Sequence, residues 1–158
     1  MDGAVERLHA TAVAVGKRAV LIRGASGSGK SNLALRCLAL PATELWPARA
    51  RLVADDQVIV TREGASLIAR PPDELAGKLE IRGLGIVEVS CESDAKVVLI
   101  ADLVDGRDVE RYPDPWPRAA ILGLSVPILR IWAFESAAAE KVLAALSMAA
   151  LPPVRECG

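Results

Sequence analysis

The chain has 158 residues, 52% hydrophobic and 25% charged, which is the length of one domain with enough apolar material for a core and excludes a disordered tail or low-complexity linker. Its 19 basic and 20 acidic residues leave a formal net charge of −1, so there is no basic excess to grip nucleic acid. Three tryptophans, one tyrosine and one phenylalanine are too few and scattered for a nucleic-acid stacking platform.

In chain order, residues 8–15 alternate with small side chains as a strand, and Gly16-Lys17 reads as a turn. Arg18–Arg23 encloses a four-residue apolar run suited to a strand covered on both faces. A glycine-rich loop follows from Gly24 to Gly29, then a helix over residues 30–40, with Leu33, Ala34, Cys37 and Leu38 on one face and Pro41 as its stop. Residues 41–50 connect to strand-like runs at 51–54, 57–62 and 66–70, the last two joined by a hairpin at Gly64. Pro71-Pro72 opens a loop or short helix to Lys78. A glycine-bearing segment, 80–85, leads into a strand at 86–90. Residues 96–101 form the strongest buried strand, and 128–132 the last one. Between them, residues 102–117 are polar and proline-rich without periodicity, the pattern of a mobile segment. Residues 136–151 read as a helix rich in alanine and leucine, and the tail from about 152 frays. The sum is a single α/β domain over residues 1–158 with a mixed sheet and few flanking helices.

His9 is the one histidine, which excludes a multi-histidine metal site. Cys37, Cys91 and Cys157 are an odd number, far apart, so a disulfide framework is not expected and a reducing cytoplasm is. No basic and apolar leader opens the chain, and the apolar stretch 142–151 is about half a membrane span, so no membrane association is expected.

Gly24-Ala25-Ser26-Gly27-Ser28-Gly29-Lys30-Ser31 satisfies G-x-x-x-x-G-K-[ST] between a strand and a helix, the pattern of a phosphate loop. Its glycines let backbone N–H groups turn toward phosphate oxygens, and the helix N-terminus adds partial positive charge. Lys30 then reaches the β- and γ-phosphates, and the Ser31 hydroxyl ligates Mg²⁺. The motif implies a nucleoside triphosphate without specifying the reaction. Two acidic candidates compete for the metal side of such a site. Asp102 ends the apolar run 97–101, and Asp55-Asp56 end the run 52–54. Periodicity leaves both open, although adjacent carboxylates that need a cation or proton between them are the more pointed hint. Such a pair can divide labour, one anion near Mg²⁺ and one taking a proton.

Leu79-Glu80-Ile81-Arg82-Gly83-Leu84-Gly85-Ile86-Val87-Glu88, following Val53-Ala54-Asp55-Asp56 and the phosphate loop, resembles the HPr kinase/phosphorylase family, whose catalytic domain carries these three blocks in this order. The resemblance covers roughly residues 8–132. It implies ATP- and Mg²⁺-dependent transfer of the γ-phosphoryl group to a serine of an HPr-like phosphocarrier protein, in a cytoplasmic homo-oligomer. By the resemblance, Lys30 and Ser31 keep their nucleotide and magnesium roles. Asp56 is the proton acceptor for the target hydroxyl, Asp55 its neighbour near the metal shell, and Glu80 a magnesium ligand. His9 matches the family's active-site histidine. Arg111, following Glu110 after a gapped segment, matches its catalytic arginine. Residues 102–117 are expected to close over the site when the carrier docks. The family's N-terminal domain has no counterpart in these 158 residues, and its loop with two arginines linked to dephosphorylation is not recognisable. Pro127-Ile128-Leu129-Arg130-Ile131-Trp132 stands in its place, which implies weak phosphorylase activity. A small-molecule kinase on the same loop, or a nucleotide-binding regulatory module with little turnover, are the alternative readings.

Overall fold

Short apolar runs separated by glycine and proline turns give eleven strands and two helices among the described residues. The structure is a computed structural model that describes residues 3–113 and 115–149, with Ala149 described by its backbone alone. The expected fraying beyond residue 152, the end of the C-terminal helix and Cys157 lie outside those residues.

The strands are β1 (Val5–Leu8), β2 (Thr11–Val15), β3 (Arg18–Arg23), β4 (Ala50–Ala54), β5 (Val58–Glu63), β6 (Ser66–Arg70), β7 (Lys78–Ile81), β8 (Gly85–Glu88), β9 (Ala95–Leu103), β10 (Arg118–Ile121) and β11 (Leu124–Ile131). The helices are α1 (Lys30–Ala39) and α2 (Ala138–Ala149). Nine strands form one mixed sheet, seven of them in the order β1-β5-β6-β9-β3-β2-β4, with β11 and β10 branching from β9. Strand β9 is its branch point: one edge runs parallel to β3, and the other pairs antiparallel with β6 at Ala95 and Lys96 and parallel with β11 from Ile100 to Leu103. Strand β10 hangs from β11 as a hairpin, and β7–β8 is a separate two-stranded hairpin. A mixed sheet with only two helices is the architecture expected from the sequence. No helix among the described residues is long and apolar enough to cross a membrane.

Several boundaries differ from the sequence expectation. The run 8–15 is broken at His9-Ala10 into β1, which pairs with β5, and β2, which pairs with β3 and β4. Residues 78–88 form a hairpin, and β10 was not anticipated, since Arg118-Ala-Ala-Ile is too short to show a period. The last strand begins at Leu124 and β9 extends to Leu103.

The sheet buries apolar side chains on both faces. One core, under α1 and α2, contains Val13, Val20, Ile22, Leu33, Leu52, Leu99 and Leu143; the other contains Ala12, Leu21, Val60, Val97, Ile100 and Val126. Strict alternation would keep residues 50, 52 and 54 on one face. A register shift between β2 and β4 leaves Val53 as an extra residue, so Ala50 and Leu52 face the helices and Ala54 faces the other core. Asp55 is thereby turned to the helix side. In β9, Val98 is the extra residue of a second shift, after which Leu99 and Ala101 face the helices. That shift turns Asp102 to the opposite side.

Candidate active site

The loop Gly24–Gly29 leaves the C-terminal end of β3 and delivers the chain into α1. Gly29 is the residue before the helix, with φ of 101°, a backbone conformation that side-chain-bearing residues seldom adopt. A β-carbon there would also meet Ala133 Cβ at 3.3 Å. At Gly24 a β-carbon would lie 2.5 Å from Ser28 Oγ and 3.2 Å from Ser28 Cβ and Leu103 Cβ, so a side chain there would force Ser28 to turn and its neighbours to give. Helix α1 has no side-chain cap and no acidic residue in its first turn, which leaves its positive end open to the cleft.

Among the described residues, three polar or charged side chains are buried, Thr11, Lys30 and Asp55, and all three belong to this site. Lys30 Nζ donates to the carbonyls of Gly24 (2.9 Å) and Ala25 (3.1 Å), drawing the loop around its ammonium. Asp55 Oδ1 accepts from Ser31 Oγ at 2.7 Å and from Thr11 Oγ1 at 2.9 Å, while Oδ2 accepts from the Glu80 amide at 3.0 Å. One buried carboxylate therefore ties together α1, β2, β4 and β7. Thr11 has a second task, since its hydroxyl accepts the Asp56 amide at 3.3 Å. The Gln57 amide donates to the Asp55 carbonyl at 2.7 Å across a tight turn centred on Asp56, whose φ is 66°. This turn points the two adjacent carboxyl groups apart. Asp55 is buried against Ser31, whereas Asp56 is exposed and lies 3.3 Å from His9 Nδ1.

A cleft of about 580 Å³ opens over the loop, lined by Ser26, Lys30, Ser31, Asp56, Glu80 and Arg82 among others. Lys30, Ser31, Asp55, Asp56, Glu80 and His9 are thus brought together. Arg111 is not among the residues lining this cleft; it lines a second one with Tyr112, Trp116 and Arg130. Asp102, the competing acidic candidate, is taken by Arg23 in a two-point ion pair of 2.7 and 2.8 Å, which raises the guanidinium's affinity for its proton. Arg23 and Asp102 both point away from α1, so the register shift in β9 takes Asp102 from the loop, whereas Asp55 lies against Ser31.

The donor set suits a nucleoside triphosphate with Mg²⁺. The uncapped N-terminus of α1 and the Lys30 ammonium both face phosphate oxygens placed in the cleft. Ser31 gives its hydrogen to Asp55, which leaves its oxygen lone pairs for a cation. No cluster of three or more His, Cys, Asp or Glu side chains that could cage a metal occurs among the described residues; Mg²⁺ is ordinarily held by one or two protein oxygens together with phosphates and water. Two contributors were not singled out from sequence, Thr11 and Phe134, the latter lining the cleft; Arg82, within the block 79–88, lines it as well. Thr11 had one visible signal, a lone polar residue inside the apolar run from Ala10 to Val15.

A strand, a glycine loop and a helix whose first serine is held by a strand-end carboxylate is the arrangement of a phosphate-loop protein. Residues 3–149 match the family described as HPr Serine kinase C-terminal domain, and the chain belongs to that family. It is 33% identical over 138 residues to the HPr kinase/phosphorylase of Chlorobium limicola, covering 80% of this chain and 39% of that protein. It is 43% identical over 84 residues to the HPr kinase/phosphorylase of Clostridium beijerinckii, covering 53% and 25% respectively. The chain therefore spans well under half the length of these relatives. A solved structure of the Hpr(Ser) kinase/phosphatase from Coxiella burnetii superposes with a TM-score of 0.74 at 25% identity, covering 90% of this chain and 88% of that one.

Proposed function

We propose that this chain is an ATP-dependent kinase that transfers the γ-phosphoryl group to a serine of an HPr-like phosphocarrier protein. The observation that carries the reading is the pair Asp55-Asp56. One carboxylate is buried on the hydroxyl of Ser31, and its neighbour is turned out into the cleft beside His9.

In this reading the phosphates of ATP lie on the backbone of residues 24–31 and on Lys30, with Ser31 and Glu80 on the Mg²⁺ side. Bound Mg²⁺ would supply charge neutralisation on the phosphate oxygens. Asp56 accepts the proton of the target serine, and His9 orients its carboxylate. The phosphoryl group in flight is strongly anionic and needs nearby cations. Lys30 is one. Arg82 is the second candidate supported by the cleft lining, whereas Arg111 reaches the site only if the part of the segment 102–117 beyond the end of β9 at Leu103 moves over it. That closure remains part of the proposal.

Weak reversal is supported by Arg130. It is the one arginine of the stretch 127–132 and lines the second cleft rather than the one over the phosphate loop, paired with Glu110 at 2.6 Å, so this stretch offers a single guanidinium where holding inorganic phosphate opposite a phosphoserine calls for more positive charge. The test is incubation of seryl-phosphorylated carrier in millimolar phosphate without ATP, following pyrophosphate release. Release at a rate comparable to the forward reaction would contradict the one-way reading.

A further inference from the structure

Phe134 is the one phenylalanine of the chain and is 67% exposed. A single exposed apolar side chain needs no explanation by itself, but three observations set this one apart. Its place is beside the phosphates' cradle: it lines the same cleft as Lys30 and Ser31, and its Cε1 and Cζ atoms lie 3.8 Å from where a β-carbon of Gly29 would stand. Its backbone is fixed from both sides, because Arg36 of α1 donates to the carbonyls of Ala133 (2.7 Å), Glu135 (3.0 Å) and Ser136 (3.1 Å). Its ring is buttressed, meeting Trp132 in a T-shaped contact with centroids 6.4 Å apart at 73°, while Trp132 packs against Gly106. An exposed ring held this firmly is already positioned for a contact that the protein alone does not make.

The chemistry of the neighbouring surface narrows that contact. The α1 N-terminus and Lys30 attract a polyanion. A planar unsaturated group attached to that polyanion would find an aromatic face at the cleft wall, with Leu35 of α1 also lining the cleft. We infer that Phe134 is the stacking platform for the base of the nucleotide whose phosphates lie on Gly24–Ser31, and that it gives the cleft a preference for purine nucleotides. This inference rests on the phosphate-loop reading of that segment. Stacking uses the face of the base and reads no hydrogen-bonding edge. It favours the larger purines over pyrimidines and leaves adenine and guanine nearly equal.

Calorimetric titration of the full chain, its Phe134→Ala variant and its Phe134→Tyr variant with ATP, GTP, CTP and inorganic tripolyphosphate tests this. The expected result for Phe134→Ala is a loss of about tenfold in ATP and GTP affinity, with tripolyphosphate affinity unchanged and the ATP–CTP difference reduced. Phe134→Tyr, which keeps an aromatic face, retains wild-type affinities. An equal loss for ATP and tripolyphosphate would overturn the inference, because the ring would then act only by holding Gly29. Unchanged ATP affinity in Phe134→Ala would overturn it as well. Wild-type protein that binds neither ATP nor tripolyphosphate would overturn the phosphate-loop reading itself, and stacking with it.

Discussion

Asp56 adopts φ of 66° without being glycine, a conformation that costs roughly 1 kcal/mol for an ordinary L-residue. The turn is nevertheless held, by the Ala10 amide on the Asp56 carbonyl at 3.1 Å and by Thr11 on the Asp56 amide. Glycine fits that φ without strain. Asp56→Gly is therefore expected to keep its folding stability to within about 1 kcal/mol, while kcat falls by roughly 10²- to 10⁴-fold through loss of the base. Urea denaturation and steady-state kinetics on one preparation check both halves, and a near-wild-type kcat would transfer the base role to Asp55. Thr11→Val keeps the shape of the side chain but deprives Asp55 and the Asp56 amide of a partner in a fully buried place. The expected cost is about 1–3 kcal/mol of stability, together with reduced kcat. Equal stability of the two proteins would contradict the role given to the Thr11 hydroxyl.

At the scale of elements, the site depends on two register shifts and one clamp. The shift at Val53 turns Asp55 toward α1, and the one at Val98 turns Asp102 away. The clamp is Arg36, which ties the last turn of α1 to three carbonyls of the segment after β11. Arg36→Met keeps the stem's packing and removes the charge-assisted bonds. It is expected to destabilise by about 1.5–3 kcal/mol and to speed amide exchange in residues 132–137, which hydrogen-exchange mass spectrometry would detect. Unchanged exchange there would mean that the segment is held by packing alone. These elements also mark how far the sequence could be read. The loop Gly24–Ser31 and the flanking strand and helix were legible because their geometry is written in consecutive residues. Periodicity could not choose between Asp55 and Asp102, because a one-residue shift in pairing depends on the partner strand and reverses the face without altering the local pattern; the adjacency of Asp55 and Asp56 and the family resemblance pointed to that pair. The break at His9-Ala10 was hidden for a similar reason: residues 8–15 look continuous, and only the different partners of β1 and β2 separate them. Phe134 carried no periodic signal at all, since its position comes from a loop folded back onto Gly29.

Across the whole molecule, α1 and α2 close one core at Cys37, whose thiol is buried at the helix contact. Desolvation pushes its pKa up to about 12, with Glu140 adding to the rise and Arg36 opposing it. The folded state therefore holds this proton where the unfolded chain releases it. The stabilisation is fully present below the ordinary thiol range and is lost as pH rises through that range toward 12. Replacing Cys37 with alanine should make the alkaline fall in stability shallower, although cavity formation lowers stability at neutral pH. In the wild-type chain, iodoacetamide at pH 8.5 should label the half-buried Cys91 well before Cys37, as read by peptide mass spectrometry; equal labelling would show that the helix contact opens freely. The central claim, phosphoryl transfer to a protein serine by Asp56 over a phosphate loop, is tested most directly by intact-mass analysis of purified HPr-like carriers after incubation with this protein and Mg-ATP. The account predicts a mass increase of one phosphoryl group on one carrier, mapped to a serine, present with wild-type protein and absent with Asp56→Ala that still binds ATP. No mass change on any carrier, or an undiminished one with Asp56→Ala, would contradict it.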